Sequence, residues 1–523
     1  MMEVHTAIKV RRNAVKDFVE QHSEKITGVV SCFDRVLFKG YLPLGSAIGM
    51  ERFMGREGFL LKDFKRFVST HSETIKAHAE AMANRYGRPF IYLQNNATRK
   101  EDEARHIAAR DGITRGLVCV FRAVEGCQSF KVVPGEGRPR LINARRKCLC
   151  YYFYYIDREF GLMHIRIQSW FPLVVQICLN GHEWLARKLD THGIAYEKQD
   201  NAFVWIADVD RAQRFADRFV DKNWPRILSG LARKVNPLLK DLLSGMDYYW
   251  VTDQAEFATD VMFTSPHALK PLYENLLRHT VLCFSPQDIL TFLGRKLHGN
   301  FQGEVLTDFK NKRQPGARVK HRMCENWIKM YDKHGCVLRI ETVINHPRQF
   351  KVRRQGTRQG QRVIGWYPMA KGVANLYRYR EISLTANQHY LQALSAAPNT
   401  TTCHHSLTSL ARPRRHKGRT YRGFNPAAVN DLALFNAVLK GEHALMGFRN
   451  QDIRKHLFTP AASVPQRRRQ ANAVSRLLKR LHVRGLIAKI PRSRRWRVTQ
   501  SGHATFATSL TLYHNHTTIN QAA

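Results

Sequence analysis

Five apolar residues at helical spacing inside a run of arginines constrain this chain more than any other feature. In QRRRQANAVSRLLKRLHVRGLI, Val474, Leu477, Leu478, Leu481 and Leu486 are set so that one side of a helix over 466–486 is apolar. Such a stripe must be buried against something. Arg467, Arg468, Arg469, Asn472, Arg476, Lys479 and Arg480 are left mainly to the other faces. A hairpin is predicted next, with strands over Ile487–Ile490 and Trp496–Thr499 joined by the tip Pro491-Arg492-Ser493-Arg494-Arg495. Upstream, a first helix is predicted over Pro426–Leu445 and a second opening at Asn450.

Charge gives this arrangement a meaning. Residues 411–500 hold 22 Lys and Arg against 3 Asp and Glu, nearly half of the chain's net +42. A surface this basic binds polyanions by releasing their counterions. Three helices closed by a basic hairpin predict a winged helix-turn-helix over 425–510. Its third helix would enter a major groove while the hairpin tip reaches the phosphate backbone. The candidate DNA-binding residues are Arg467, Arg468, Arg469, Asn472, Arg476, Lys479 and Arg480 on the helix, and Arg492, Arg494 and Arg495 at the tip. The alternative is a solvated basic surface with no specific partner. The stretch RLLKRLHVRGLIAKIPRSRRWRVTQSGH, with its Leu-x-x-x-Gly-Leu-Ile helix exit and Val-Thr-x-x-Gly strand exit, resembles the winged helix of MarR-type bacterial regulators. That resemblance covers about Asn425–Thr508 and implies the fold, not the sequence read.

The 523 residues and 44% apolar content suffice for more than one buried core. No run of about eighteen apolar residues occurs, so no membrane span is expected. The opening MMEVHTAIKVRRNAVKDF breaks into charge too soon for a signal peptide. Ten cysteines in so long a chain read as reduced, mostly buried thiols, which points to the cytoplasm and, with DNA as partner, to the nucleoid. Cys148-Leu-Cys150 and Cys403-His404-His405 are tight clusters, but neither has the paired Cys-x-x-Cys spacing of a structural zinc site.

The fold class expected is α/β (α+β) and multidomain, with mixed sheets and covering helices. An N-terminal α+β division is expected over 1–245, with strands in ITGVVSCFDRVLFKGYL, GLVCVFRAVEGCQSFKVV and LMHIRIQSWFPLVVQICL, and helices over Glu51–Arg85 and LNGHEWLARKLDTHG. Asn180 is the expected N-cap of the latter, with Glu183 at the capping-box position. A helix-rich connector over Asp208–Gly245 leads to a central α+β division over 246–392 with antiparallel strands. A flexible basic linker over 393–424 precedes the winged helix, and a tail over 511–523 follows it.

The central division holds the segment with most chemistry, ARVKHRMCENWIKMYDKHGCVLRIETVINHP. Two strands meet at a turn near His334-Gly335. With an odd-length loop, Ile328 and Met330 share an apolar face with Leu338 and Ile340, while Lys329, Tyr331, Lys333, Arg339 and Glu341 share the other. An even loop would set Tyr331 and Lys333 among the apolar residues, so burial selects the odd register. A tyrosine ringed by three cations and a carboxylate can attack a phosphodiester when a divalent metal polarises the phosphate. Tyr331, Lys333, Lys329 and Arg339 are therefore the candidate catalytic residues, and Glu341, Glu256 and Asp260 the candidate ligands of Mg²⁺ or Mn²⁺. Glu256 and Asp260 lie in DYYWVTDQAEFATDVMF, whose aromatic and β-branched content predicts a strand; residues four apart there are about 13 Å apart. The other reading is a DNA-facing sheet surface with ordinary ion pairs and no metal.

Tyr-Asp-Lys followed by Leu-Arg-Ile-Glu, over about Trp327–Val343, resembles a strand pair of rolling-circle replication initiators. The resemblance implies single-strand nicking through a phosphotyrosine link. The paired-histidine metal motif of many such nickases is absent, and His164-Ile-Arg166 is the nearest approach. His164, Arg166 and Gln168 share one strand face, either lining a nucleic-acid groove with Trp170 and Tyr151–Tyr155 or forming the wet side of a half-buried sheet. Asp34, mid-strand among apolar residues, either begins a carboxylate site of the ribonuclease-H kind or pairs with its neighbours. The strings RIQSWFP, LNGHEWLA, TFLGRKLHG, NWIKMYDK and SRRWRVT resemble a recurring type of bacterial protein associated with mobile DNA. The expectation is thus a DNA-binding protein of mobile-element type, with metal-dependent nicking of one strand as what the initiator resemblance implies. The alternatives are a non-catalytic DNA-binding regulator, or an RNA-binding component of an element's ribonucleoprotein.

Overall fold

A computed structural model describes residues 18–94, 99–284, 286–294, 305–310, 318–358, 360–395, 409–426, 428–491, 493–499 and 501–510. The protein is mixed α/β, with a large mixed sheet and covering helices. The chain divides into two compact units: one of residues 30–259 with 343–381, the other of residues 1–29, 260–342 and 382–523. Among the described residues no helix is long and apolar enough to cross a membrane.

The unit built on residues 30–259 contains a sheet of seven strands, β1 (Ile26–Tyr41), β2 (Phe90–Tyr92), β3 (Gly116–Val133), β4 (Arg140–Asp157), β5 (Gly161–Gln168), β6 (Val175–Asn180) and β7 (Tyr249–Phe263), in the order β7-β1-β6-β5-β4-β3-β2. The last residues of β7 and the first of β1 belong to the other unit. β2 runs parallel to β3, while β3 to β6 pair antiparallel in turn. The middle of β1, Val30–Asp34, is buried on both faces, as a central strand requires. β3 and β4 form a long hairpin whose loop, Pro134-Gly-Glu-Gly-Arg-Pro139, carries the turn chemistry that reverses a chain. The strand expected in LMHIRIQSWFPLVVQICL is two strands, β5 and β6, paired from His164↔Cys178 to Ile167↔Val175. The helix expected over Glu51–Arg85 is also two, Ala47–Arg56 and Phe64–Arg85, because Gly58 between them takes φ +74° and cannot continue a helix. Asn180 caps the helix Gly181–Thr191 as expected, accepting from the N–H groups of His182 and Glu183; the Glu183 side chain instead pairs with Lys198.

In the other unit four strands run in the order β8 (Val305–Lys310), β9 (Arg318–Met323), β10 (Asn326–Lys333), β11 (Val337–Ile344). β10 and β11 are joined by the three residues His334-Gly335-Cys336, an odd loop. His334 and Gly335 have φ +57° and +81°, and the Gly335 N–H donates to Asp332 Oδ1 at 2.9 Å. Ile328, Met330, Leu338 and Ile340 are all fully buried. His321 joins the buried side of β9, held between Thr307 Oγ1 and the Tyr390 hydroxyl at 2.9 Å each.

The C-terminal part of this unit comprises α1 (Val429–Leu439), α2 (Gly441–Met446), α3 (Asn450–Leu457), α4 (Val464–Val483) and a hairpin of Ile487–Lys489 with Trp496–Val498. The first helix expected over Pro426–Leu445 is broken at Lys440. Asp288 Oδ1 accepts the Glu442 N–H at 2.7 Å there, starting a new helix, and a Cβ on Gly441 would lie 2.8 Å from that oxygen. The flexible linker expected over 393–424 is corrected for its described part. Arg414–His416 and Arg419–Tyr421 form a hairpin, and the flanking Leu410 and Phe424 are buried with Phe435, Leu478 and Leu481 in the C-terminal core.

Candidate functional site

α4 begins at Val464, where the Ser463 side chain accepts the Gln466 N–H and Pro465 occupies the first turn. Val474, Leu478, Leu481 and Leu486 are buried in the C-terminal core and Leu477 is partly buried against it. The opposite side is open: Arg467, Arg468, Arg469, Asn472, Arg476 and Lys479 are all exposed. Arg480 is placed differently from the rest of that set. Its guanidinium lies 3.9 Å over the Phe424 ring and donates to the carbonyls of Arg422 and Gly423 at 3.2 and 2.6 Å. Arg484, one turn on, is buried and donates to the carbonyls of Arg412, Tyr421 and Arg422 at 3.0–3.2 Å. These two cations fasten the upstream hairpin to the helix.

The C-terminal hairpin pairs Ile487↔Val498 and Lys489↔Trp496, and Phe448 adds a third strand through two hydrogen bonds of 2.8 Å to Trp496. Gly447 permits that approach: at φ +64° it lies so close that a Cβ would be 2.4 Å from the Trp496 carbonyl oxygen. Arg494 is exposed near the tip, whereas Arg495 is partly buried and donates to the Gly447 carbonyl at 2.9 Å. Arg492 lies outside the described residues. Lys489 and Arg497 are also exposed on this hairpin, outside the tip that the sequence singles out.

The β10–β11 hairpin brings Lys329, Tyr331 and Glu341 together. Lys329 Nζ donates to one oxygen of Glu341 at 2.5 Å and the Tyr331 hydroxyl donates to the other. Glu341 is 1% exposed, while Lys329 and Tyr331 are half-buried. Lys333 is buried at the end of β10. Arg339 and Asp260 make a bidentate ion pair with each other, Nε–Oδ1 2.6 Å and Nη2–Oδ2 2.7 Å, both completely buried. Two expected site residues thus neutralise one another inside the core. Sequence reasoning missed Lys320 and Trp327 on the same face as Lys329 and Tyr331. Lys320 pairs across the strands with Lys329 and stands 4.0 Å over the Trp327 ring. Its pKa is lowered by burial and then by the Lys329 charge.

In the unit of residues 30–259, Glu256 lies on β7, half-buried, with Oε1 accepting from Gln254 Nε2 at 2.6 Å. A carboxylate oxygen of Glu256 and one of Asp34 come within 4.8 Å of each other. Asp34 also accepts from Asn201 Nδ2 at 2.7 Å and lies 3.1 Å from His182 Nδ1. Gly181 makes that second contact possible: a Cβ there would sit 2.1 Å from the Phe33 carbonyl oxygen, so only glycine brings the helix start this close to β1. The two carboxylates offer oxygen donors of the kind a hard divalent ion takes, whereas Asn201 presents its N–H to Asp34. In the polar stripe of β5, Arg166 and Gln168 are buried and His164 is half-buried. Arg166 Nε reaches Glu125 at 3.0 Å, and Gln168 Nε2 donates to the carbonyls of Gln128 and Trp170. His164 is pushed down to about 3 by burial and by the Arg35 and Arg166 charges, so it is a neutral ring at physiological pH.

No family model matches this chain, and neither a curated protein nor a solved structure does.

Proposed function

We propose that the chain binds duplex DNA through α3, α4 and the C-terminal hairpin, acting as a winged helix-turn-helix. The observation that carries this is the two-sidedness of α4. Its apolar stripe closes a core, while Arg467, Arg468, Arg469, Asn472, Arg476 and Lys479 stand exposed with no packing role. Helical arginines and an asparagine reach base edges, and the exposed Lys489, Arg494 and Arg497 of the hairpin supply phosphate contacts. The test is fluorescence anisotropy of the full-length protein with labelled duplex DNA, competed by unlabelled duplex or by structured RNA. Preferential displacement by duplex supports the reading; preferential displacement by RNA replaces it with an RNA-binding one.

A second reading, metal-dependent strand cleavage, has the Tyr331–Glu341 contact behind it. A tyrosine held by a carboxylate and flanked by Lys329 has the parts of an activated nucleophile. Asp34 and Glu256 supply a second carboxylate setting fit for Mg²⁺ or Mn²⁺. Incubation with labelled single-stranded DNA and each metal, followed by denaturing electrophoresis, tests it. A covalent adduct identifies the tyrosine route, metal-dependent cutting without an adduct identifies hydrolysis, and intact DNA leaves a binding protein.

A further inference from the structure

Among the groups that the proposed function leaves unused, one stands out by its chemistry. Cys127 on β3 and Cys148 and Cys150 on β4 turn their side chains to one face of that hairpin and are all buried. Their three sulfur atoms lie within 4.8 Å of one another, with Cys127 and Cys150 at 3.4 Å. Zn–S bonds of about 2.3 Å at tetrahedral angles set sulfurs roughly 3.8 Å apart, so this triangle needs little adjustment to become one face of a zinc tetrahedron. Cysteine spacing concealed it. Cys148 and Cys150 are two positions apart in sequence, but the third sulfur comes from Cys127, 23 residues before Cys150, through the register of a long hairpin.

A second observation, independent of the sulfurs, is the cation beside them. Arg166 on β5 places Nη2 3.0 Å from Cys150 Sγ and 3.4 Å from Cys127 Sγ. Its Nε is held by Glu125, which also takes the Tyr152 hydroxyl at 2.6 Å. A guanidinium buried against sulfur is stabilised when that sulfur is anionic, and three thiolates around Zn²⁺ carry one net negative charge for it to balance. Cys127 and Arg166 also line a cleft of about 610 Å³ with Lys39, Gln128, Asn143 and Arg145. Of the three cysteines, Cys127 is the one that faces this cleft.

We propose that Cys127, Cys148 and Cys150 bind a thiophilic d¹⁰ cation, zinc(II), with Arg166 donating hydrogen bonds to the coordinated sulfurs and a water from the cleft completing the site. On binding, the thiols lose their protons to solvent and no oxidant is involved. The site is separate from the hard-ion chemistry considered for Asp34 and Glu256 and does not depend on it.

The test uses the full-length protein, reduced and stripped of metal. Titration with Co²⁺ should raise sulfur-to-cobalt charge-transfer absorption that saturates at one ion per chain and is displaced by Zn²⁺. In the wild type, alkylation followed by peptide mass mapping should show Cys127, Cys148 and Cys150 protected by zinc while Cys324 reacts as before. Arg166→Gln should weaken zinc binding by about 10-fold, as loss of an outer hydrogen bond to a ligand does. Cys127→Ser and Cys150→Ser should abolish the cobalt band, and Cys324→Ser should leave it unchanged. Absence of the band in the wild type overturns the proposal. So does an unchanged zinc-protection pattern at the three cysteines, or recovery of a Cys127–Cys150 disulfide that forms equally well with zinc present. The alkylation map needs no variant to fold.

Discussion

The Tyr331 hydroxyl donates to a carboxylate oxygen of Glu341 whose partner oxygen takes the Lys329 ammonium, so a buried anion is satisfied from one neighbouring strand. This is the arrangement the odd loop was expected to create. Residues 329, 331, 339 and 341 share a face because His334-Gly335-Cys336 puts three residues, not two, between β10 and β11.

Tyr331→Phe removes one donor from a carboxylate that is 1% exposed. We expect a stability loss of about 1.5–3 kcal/mol, the usual worth of a hydrogen bond to a charged group, measured by urea denaturation. If the tyrosine is also the nucleophile, any DNA adduct disappears in the fraction that remains folded, and Glu341→Gln reduces cleavage while sparing DNA binding.

Arg339 and Asp260 predict a different outcome. Removing one partner from a completely buried bidentate pair leaves a charge in the core, so Arg339→Met should cost about 3–5 kcal/mol. The double variant Arg339→Met/Asp260→Leu should be less destabilised than the sum of the two single changes. A double-mutant cycle by chemical denaturation measures this. Single variants as stable as wild type but devoid of cleavage activity would instead assign Asp260 to chemistry.

How much of this could be read from the sequence depends on the range of the interactions involved. The apolar stripe of α4, the strand nature of 249–263 and the face shared by Tyr331 and Glu341 follow from local periodicity, and all three appear in the structure. Arg480 was placed with the exposed arginines because nothing local distinguishes it from Arg476; its partners, Arg422, Gly423 and Phe424, lie more than fifty residues upstream. The Arg339–Asp260 pair has a separation of 79 residues and the Asp34–Asn201 bond one of 167, so strand order decides them. The helix breaks at Gly58 and Gly441 turn on a positive φ and on a close approach by Asp288, neither of which an apolar pattern records.

Buried neutral histidines set the acid limit of stability. Burial lowers His321 from 6.5 to about 3, and His279 and His503 to about 4. Below the unfolded value the unfolded chain takes up protons that the native state refuses. Stability should therefore be fully present above about pH 6.5 and fall progressively toward pH 3–4. Urea midpoints at pH 7, 6 and 5 should decline in that order. His321→Gln, which removes the titrating ring, should make the decline shallower.

Arg484 and Arg468 should separate stability from binding. Arg484→Ala leaves the carbonyls of Arg412, Tyr421 and Arg422 without that donor, and we expect a loss of at least about 3 kcal/mol, visible as a lower thermal midpoint. Arg468→Ala, at an exposed position, should change stability by less than about 0.5 kcal/mol. It should instead weaken binding to a cognate duplex by about 1–3 kcal/mol if a base edge is lost.

The most direct test of the DNA-binding account is the salt dependence of duplex affinity for the full-length protein and for Arg468→Ala/Arg476→Ala/Lys479→Ala. The wild type should give a log–log slope of about −5 or steeper, corresponding to six or more phosphate contacts. The triple variant should give a weaker affinity and a slope shallower by about 1, the share of Lys479, with an unchanged denaturation midpoint, since these side chains are exposed and pack against nothing in the core. A triple variant that binds with the same affinity and slope as wild type would contradict the assignment of α4 as the DNA-contacting helix.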